Sequence, residues 1–120
     1  IYLVWVMKIR EVADIVQGVV LSADDMLDHE VEFAFASDLM SDVLTIPTEK
    51  LVLITGLSNI QTVRTAEMAD VQCVVVVRNK KVTNEMVELA NENHIVIIEC
   101  SSSMFKTSGL LYQNGIKPIY

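Results

Sequence analysis

Three apolar, mostly β-branched runs in this chain each break off into small polar residues and then pass into a helical pattern. Leu51 to Ile54 leads into Thr55-Gly56-Leu57-Ser58-Asn59, Cys73 to Val77 into Arg78-Asn79-Lys80-Lys81, and Ile95 to Ile98 into Ser101-Ser102-Ser103. Apolar runs of four or five residues bounded by polar turns read as strands, and strands alternating with helical patterns read as βα units of a parallel sheet. A parallel sheet is covered on both faces, so its strands are apolar at every position rather than at every second one. Composition agrees, since 52% of the 120 residues are hydrophobic and only 6% aromatic, which makes the core aliphatic. The predicted fold class is α/β: three layers, a mainly parallel sheet of five to six strands, and helices on both faces.

The same units say where a ligand would bind. In open α/β sheets ligands sit beyond the carboxyl ends of the strands. The candidate ligand-binding residues are therefore Thr55, Gly56, Ser58 and Asn59 after the first run, Arg78 and Asn79 after the second, and Ser101, Ser102 and Ser103 after the third. Thr55-Gly56 ahead of a capped helix offers backbone amides to an anion. Arg78, Lys80 and Lys81 form the densest positive charge in the chain. An adjacent parallel strand ends about 5 Å away, so these two turns can face one phosphate. A tight strand-to-helix turn and ordinary solvated charges explain the same residues without a ligand, and neither the Walker pattern nor the three-glycine dinucleotide fingerprint is present.

The first half reads less regularly. Ile9, Val12, Ala13 and Val16 form one apolar stripe of a helix, stopped by Gly18 and preceding the first strand, Val19-Val20-Leu21. Val31 to Ala36 is the next strand. Ser37 or Asp38 is expected to cap a helix that buries Leu39, Met40, Val43 and Leu44 and ends at Pro47. Further on, Ser58 with Gln61 fits a capping box, Thr83 caps the following helix, and the last helix starts in Ser101 to Ser103. That last helix is expected to bury Met104, Phe105, Leu111 and Tyr112 before stopping at Asn114-Gly115.

Charge and special residues bound the function further. Residues 24 to 42 carry seven of the sixteen acidic residues and no Lys or Arg, within a net charge of -7. Such a chain repels a phosphate backbone, which speaks against nucleic acid as a partner. Asp24, Asp25, Asp28, Glu30 and Glu32 lack the spacing and central glycine of a calcium loop, so no metal site is expected. Asp38 and Asp42 lie four apart, as on one helix face, where capping and solvation account for them. No base is positioned to activate Ser101 to Ser103, and His29 and His94 lie elsewhere, so no catalytic residue, enzyme activity or cofactor is expected. Cys73 and Cys100 show no ligand spacing and read as buried packing residues of a reducing, cytoplasmic compartment. The apolar opening Ile1 to Val6 is too short to span a bilayer, so no membrane is implied. Residues 1–6 read as an extension or edge strand, and 7–120 as one domain.

Ser37-Asp38-Leu39-Met40-Ser41-Asp42-Val43-Leu44, Leu53-Ile54-Thr55-Gly56, Val75-Val76-Val77, Val96-Ile97-Ile98 and Gly109-Leu110-Leu111-Tyr112 together give the chain a resemblance to the DRTGG domain family. The resemblance runs from Met7 to about Ile116. It is strongest to stand-alone members, including those associated with iron-hydrogenase gene clusters. It is more distant to the DRTGG modules of phosphotransacetylases and CBS-containing pyrophosphatases and to the N-terminal domain of HPr kinase. Where family members often have Asp-Arg after the third strand this chain has Leu57-Ser58, and where many have Thr-Gly-Gly after the next it has Arg78-Asn79-Lys80. The resemblance implies a regulatory, ligand-sensing module without catalysis, with a nucleotide or small anion at the strand ends. It also points to subunit contacts, and with the surplus of aliphatic residues and the unpartnered Ile1 to Val6 it predicts a homodimer. The alternative is an interaction or scaffold subunit of a metabolic or hydrogenase-type enzyme, with no small ligand.

Overall fold

A computed structural model describes residues 6–46 and 48–120. The chain runs through β1 (Met7–Lys8), α1 (Ile9–Val16), β2 (Val19–Val20), a 3-10 turn (Asp24–Met26), β3 (Glu30–Val31) and β4 (Phe33–Ala36). It continues through α2 (Met40–Val43), β5 (Leu51–Thr55), α3 (Ile60–Met68), β6 (Cys73–Val76), α4 (Asn84–Glu92), β7 (Val96–Glu99), α5 (Met104–Gln113) and β8 (Lys117–Pro118). Six strands form one sheet in the order β2-β7-β6-β5-β4-β8. β4 to β8 are mutually parallel where they pair, and only β2 runs antiparallel, against β7. β1 and β3 make a separate antiparallel pair, so a two-residue strand precedes the first helix, where the sequence led us to expect none.

The three central strands are buried along almost their whole length, and their alternate residues feed two cores. Val52, Ile54, Val75, Val96 and Ile98 face α1 and α5, whose Ile9, Val12, Val16 and Leu111 complete that side. Leu51, Leu53, Val74, Val76 and Ile97 face α2, α3 and α4 through Met40, Val43, Val63, Ala66, Met86 and Ala90. This period-two partition is the three-layer arrangement read from the sequence, and burying both faces explains why the runs were apolar throughout. Cys73 and Cys100 are free and buried, and burial pushes the Cys73 thiol up to about 12, so it stays protonated and inert.

Several local expectations give way to tertiary geometry. α1 ends not on Gly18 but on Gln17, which takes the left-handed conformation at φ 54°. Gly18 serves close packing instead, since a Cβ there would lie 2.4 Å from Ile98 Cγ2 and 3.0 Å from the Glu99 carbonyl. α2 has Leu39 as its N-cap and begins beyond Asp38, so Asp38 and Asp42 do not share a helix. Met40 and Val43 are buried there, whereas Leu39 and Leu44 are exposed. α3 is capped by Asn59 rather than Ser58: Asn59 Oδ1 accepts from Thr62 N at 3.2 Å. Thr83 caps α4 as expected, accepting from Met86 N at 3.3 Å, and within the expected start at Ser101 to Ser103 it is Ser103 that caps α5, accepting from Lys106 N at 3.1 Å. On α5, Leu111 is buried and Met104 packs on the core, but Phe105 is 90% and Tyr112 69% exposed, contrary to expectation. Both lie on the helix face away from the sheet, where a buried reading of every apolar residue overshoots. The expectations for the helix stop at Pro47 and for residues 1–5 fall outside the described residues.

Candidate ligand site at the carboxyl ends of the strands

The parallel ladders bring four strand ends, those of β4, β5, β6 and β7, to one level. Ala36 pairs with Ile54, Thr55 with Val76, and Val76 with Glu99. Ser37 N then donates to the Ile54 carbonyl at 3.0 Å and Val77 N to the Thr55 carbonyl at 2.9 Å, so the ladders extend one residue beyond the strands. The next residues along are Asp38, Gly56 and Arg78, and these meet. Asp38 Oδ1 accepts from Gly56 N at 2.7 Å and from Thr55 Oγ1 at 3.0 Å, while Oδ2 accepts from Arg78 Nη2 at 3.2 Å.

Each donor is held by its own element. Thr55, the last residue of β5, is fully buried, and its Oγ1 also accepts from Leu57 N at 3.1 Å, which tightens the turn. The Arg78 guanidinium lies across Gly56, where a Cβ would fall 2.2 to 2.4 Å from it and push it aside. Arg78 and Asn79 both adopt left-handed backbone, at φ 66° and 56°. Non-glycine residues enter that region at a cost of about 1 kcal/mol each, which surrounding contacts must offset. Here Arg78 N donates to the Ser102 carbonyl at 2.8 Å and Asn79 N to the Cys100 carbonyl at 3.2 Å, pinning the turn after β6 to the turn after β7.

Electrostatics follow from that geometry. Burial raises the pKa of Asp38, but the Gly56 amide, the Thr55 hydroxyl and the Arg78 guanidinium together outweigh it and hold the carboxyl below its ordinary 3.8. The Asp38 and Arg78 side chains are 42% and 48% exposed, so solvent screens the pair and its strength lies in the converging hydrogen bonds rather than in the ion pair alone.

Of the nine residues singled out from the sequence, Thr55, Gly56 and Arg78 are brought into one cluster, and Asn79 and Ser102 adjoin it through backbone bonds. Ser58 Oγ donates to the Lys81 carbonyl, Asn59 and Ser103 spend their side chains on caps, and Ser101 is exposed. Four concavities of the described surface, of about 140 to 530 Å³, are lined by none of the nine. Asp38 was missed as a member of the site. Its signal was present, because a carboxylate two residues past a strand end lies level with the turn of whichever strand pairs beside it. Among the described residues no cluster of three or more His, Cys, Asp or Glu could hold a metal ion, and no helix is long and apolar enough to cross a membrane.

A six-stranded, mainly parallel sheet between helices, with its polar turns gathered at one end, is an open-sheet α/β domain. More specifically, residues 11–114 match the DRTGG domain model, and the chain belongs to the DRTGG domain family. Among solved structures it is similar to the CBS and DRTGG domains of the regulatory region of Clostridium perfringens pyrophosphatase, crystallised with its activator, diadenosine tetraphosphate. The TM-score is 0.74 at 15% identity, over 91% of this chain and 47% of that one, so this chain spans about half the length of that structure. No curated protein sequence matches the chain.

Proposed function

We propose that this chain is a regulatory, ligand-sensing module without catalytic activity, taking a nucleotide or other small anion at the carboxyl ends of β5, β6 and β7. The observation that carries the reading is the convergence of unlike donors, the Gly56 amide, the Thr55 hydroxyl and the Arg78 guanidinium, on one anionic group. A backbone amide, a hydroxyl and a guanidinium are the groups that proteins use to hold phosphate. Support also comes from the structural likeness to a regulatory region that was crystallised with a dinucleotide activator. Thermal unfolding with a panel of mono- and dinucleotides, diadenosine tetraphosphate among them, tests it. A ligand at 100 times its Kd stabilises by about 2.7 kcal/mol, readily seen as a rise in Tm. Unchanged Tm across the panel at millimolar concentrations rejects the reading.

A second reading, as an interaction module or homodimer, is favoured by one face of α5. Phe105 and Tyr112 project there at 90% and 69% exposure, and the space in front of Gly109 between them is open. Exposed aromatics flanking a small residue let a second helix approach closely. Phe105→Asp with Tyr112→Asp leaves the core untouched and abolishes self-association in sedimentation if this face carries it. A wild-type chain that stays monomeric at tens of micromolar and retains no partner enzyme dismisses the second reading.

A further inference from the structure

We propose that Asp38 is the resident anion of the strand-end site, so that its carboxylate occupies the place of a ligand phosphoryl group and the site opens only when the loop between β4 and α2 releases it. The inference rests on the ligand-sensing reading for its biological meaning, though not for its test.

The donors and the acceptor are carried very differently. Thr55 and Gly56 are buried at the end of a central strand, and the Arg78 backbone is fixed by the bond from its N–H to the Ser102 carbonyl. Asp38 instead lies in a three-residue loop between Ala36 and the four-residue helix that begins at Met40, and its side chain is 42% exposed. Its departure would not uncap that helix, because Ser37 Oγ already accepts from Leu39 N at 3.0 Å and no side chain caps α2. The Thr55 hydroxyl and the Gly56 amide are therefore fixed donors, and the half-exposed Arg78 guanidinium and the Asp38 carboxylate are the parts of the cluster that can move.

Removing Asp38 would leave the buried Thr55 hydroxyl and Gly56 amide without their acceptor and the guanidinium without its counter-charge, which is costly unless another anion enters. A phosphoryl group meets all three needs: it is negative, it accepts from several donors at once, and it can engage Arg78 with two oxygens. Gly56 keeps the approach open, since a side chain there would displace the guanidinium. The closed loop then acts as a tax on binding. If the open state is populated about a tenth of the time, apparent affinity falls about tenfold.

The test uses the full chain and inorganic phosphate as probe, at ionic strength matched with potassium chloride, read by calorimetry and by the amide resonance of Gly56. Asp38→Ala is expected to bind phosphate about tenfold more tightly than the wild type, and Arg78→Ala in that background to abolish the gain. Asp38→Asn preserves shape and removes charge, and is expected to show an intermediate gain; it also covers the case in which Asp38→Ala does not fold. A folded Asp38→Asn or Asp38→Ala chain that binds phosphate no better than the wild type overturns the proposal, as does a gain that survives Arg78→Ala. If the wild type ignores every nucleotide but the Asp38 variants gain phosphate through Arg78, the ligand-sensing reading fails and the resident anion stands. If the wild type binds a nucleotide and the variants gain nothing, the reverse holds.

Discussion

The two ends of the central strands carry the same kinds of residue and put them to different uses. At the amino end an open concavity of about 530 Å³ is lined by Asp28, Glu30, Glu49 and Asp70 with His29, Lys50 and Gln72. Two of its carboxylates pair separately, Asp28 with Arg10 at 3.3 Å and Glu30 with Lys50 at 3.4 Å, all about half exposed or more. At the carboxyl end that concavity does not reach Asp38, Gly56 or Arg78, yet three donors converge there on one carboxylate. Volume follows from where helices and loops leave gaps. Convergence follows from strands ending at one level, and only convergence gives an anion a reason to bind.

The largest expected contrast is between carboxylates removed from the two ends. Asp38→Ala leaves the buried Thr55 hydroxyl and Gly56 amide unpaired and is expected to cost about 1–3 kcal/mol in urea unfolding. Asp28→Ala, which breaks only an exposed pair, is expected to stay within about 0.5 kcal/mol. Equal losses at the two ends would erase the distinction.

The pH dependence sharpens the same contrast. The pKa of Asp38 is lowered in the folded state, so the unfolded chain binds the proton more readily. Its stabilisation is then complete above its unfolded value of about 3.9 and disappears as pH falls through the lower folded value. The stability gap between wild type and Asp38→Asn is therefore expected to hold from neutrality down to about pH 4 and to close below it. A gap that persists undiminished well below that range would show that shape, not charge, is what Asp38 contributes.

A smaller effect concerns backbone strain. Asp70 at the amino end and Arg78 at the carboxyl end both have left-handed φ, 57° and 66°. Asp70→Gly is expected to stabilise by about 0.5–1 kcal/mol, since it relieves the left-handed backbone and, among the described residues, gives up no hydrogen bond or ion pair of the side chain. Arg78→Gly gains the same relief but loses the partner of Asp38, so its net change is expected to be smaller or of opposite sign. Lys50→Ala is likewise expected to cost only about 0–0.5 kcal/mol, because Lys50 and Glu30 are each 49% exposed.

Much of the fold was legible because it is written in short-range pattern. The runs at Leu51, Cys73 and Ile95, the cap at Thr83 and the helix start at Ser101 to Ser103 depend on neighbours within a few residues, and each stands where it was expected. Local reading failed where two nearby residues could do the same work. Ser58 and Asn59 both can cap a helix, and Asn59 does so because Ser58 is drawn to the Lys81 carbonyl across the gap to the next unit. It failed also on α5, where Phe105 and Tyr112 were assigned to a core that lies on the other side of the helix.

What the sequence by itself determined is the succession of βα units, the two-sided burial of their strands, and the polar turns that follow them. Only the tertiary structure decided which turns touch. Asp38 reaches Gly56 across 18 residues and Arg78 across 40, contacts set by strand order and register. The continuous apolar pattern says that these strands are buried on both faces, but it is the same for every order in which buried strands can be laid side by side. Laying β4 beside β5 and β5 beside β6 is a choice made by the packing of whole helices on both faces, and that choice turned an apparent helix cap into the centre of the site.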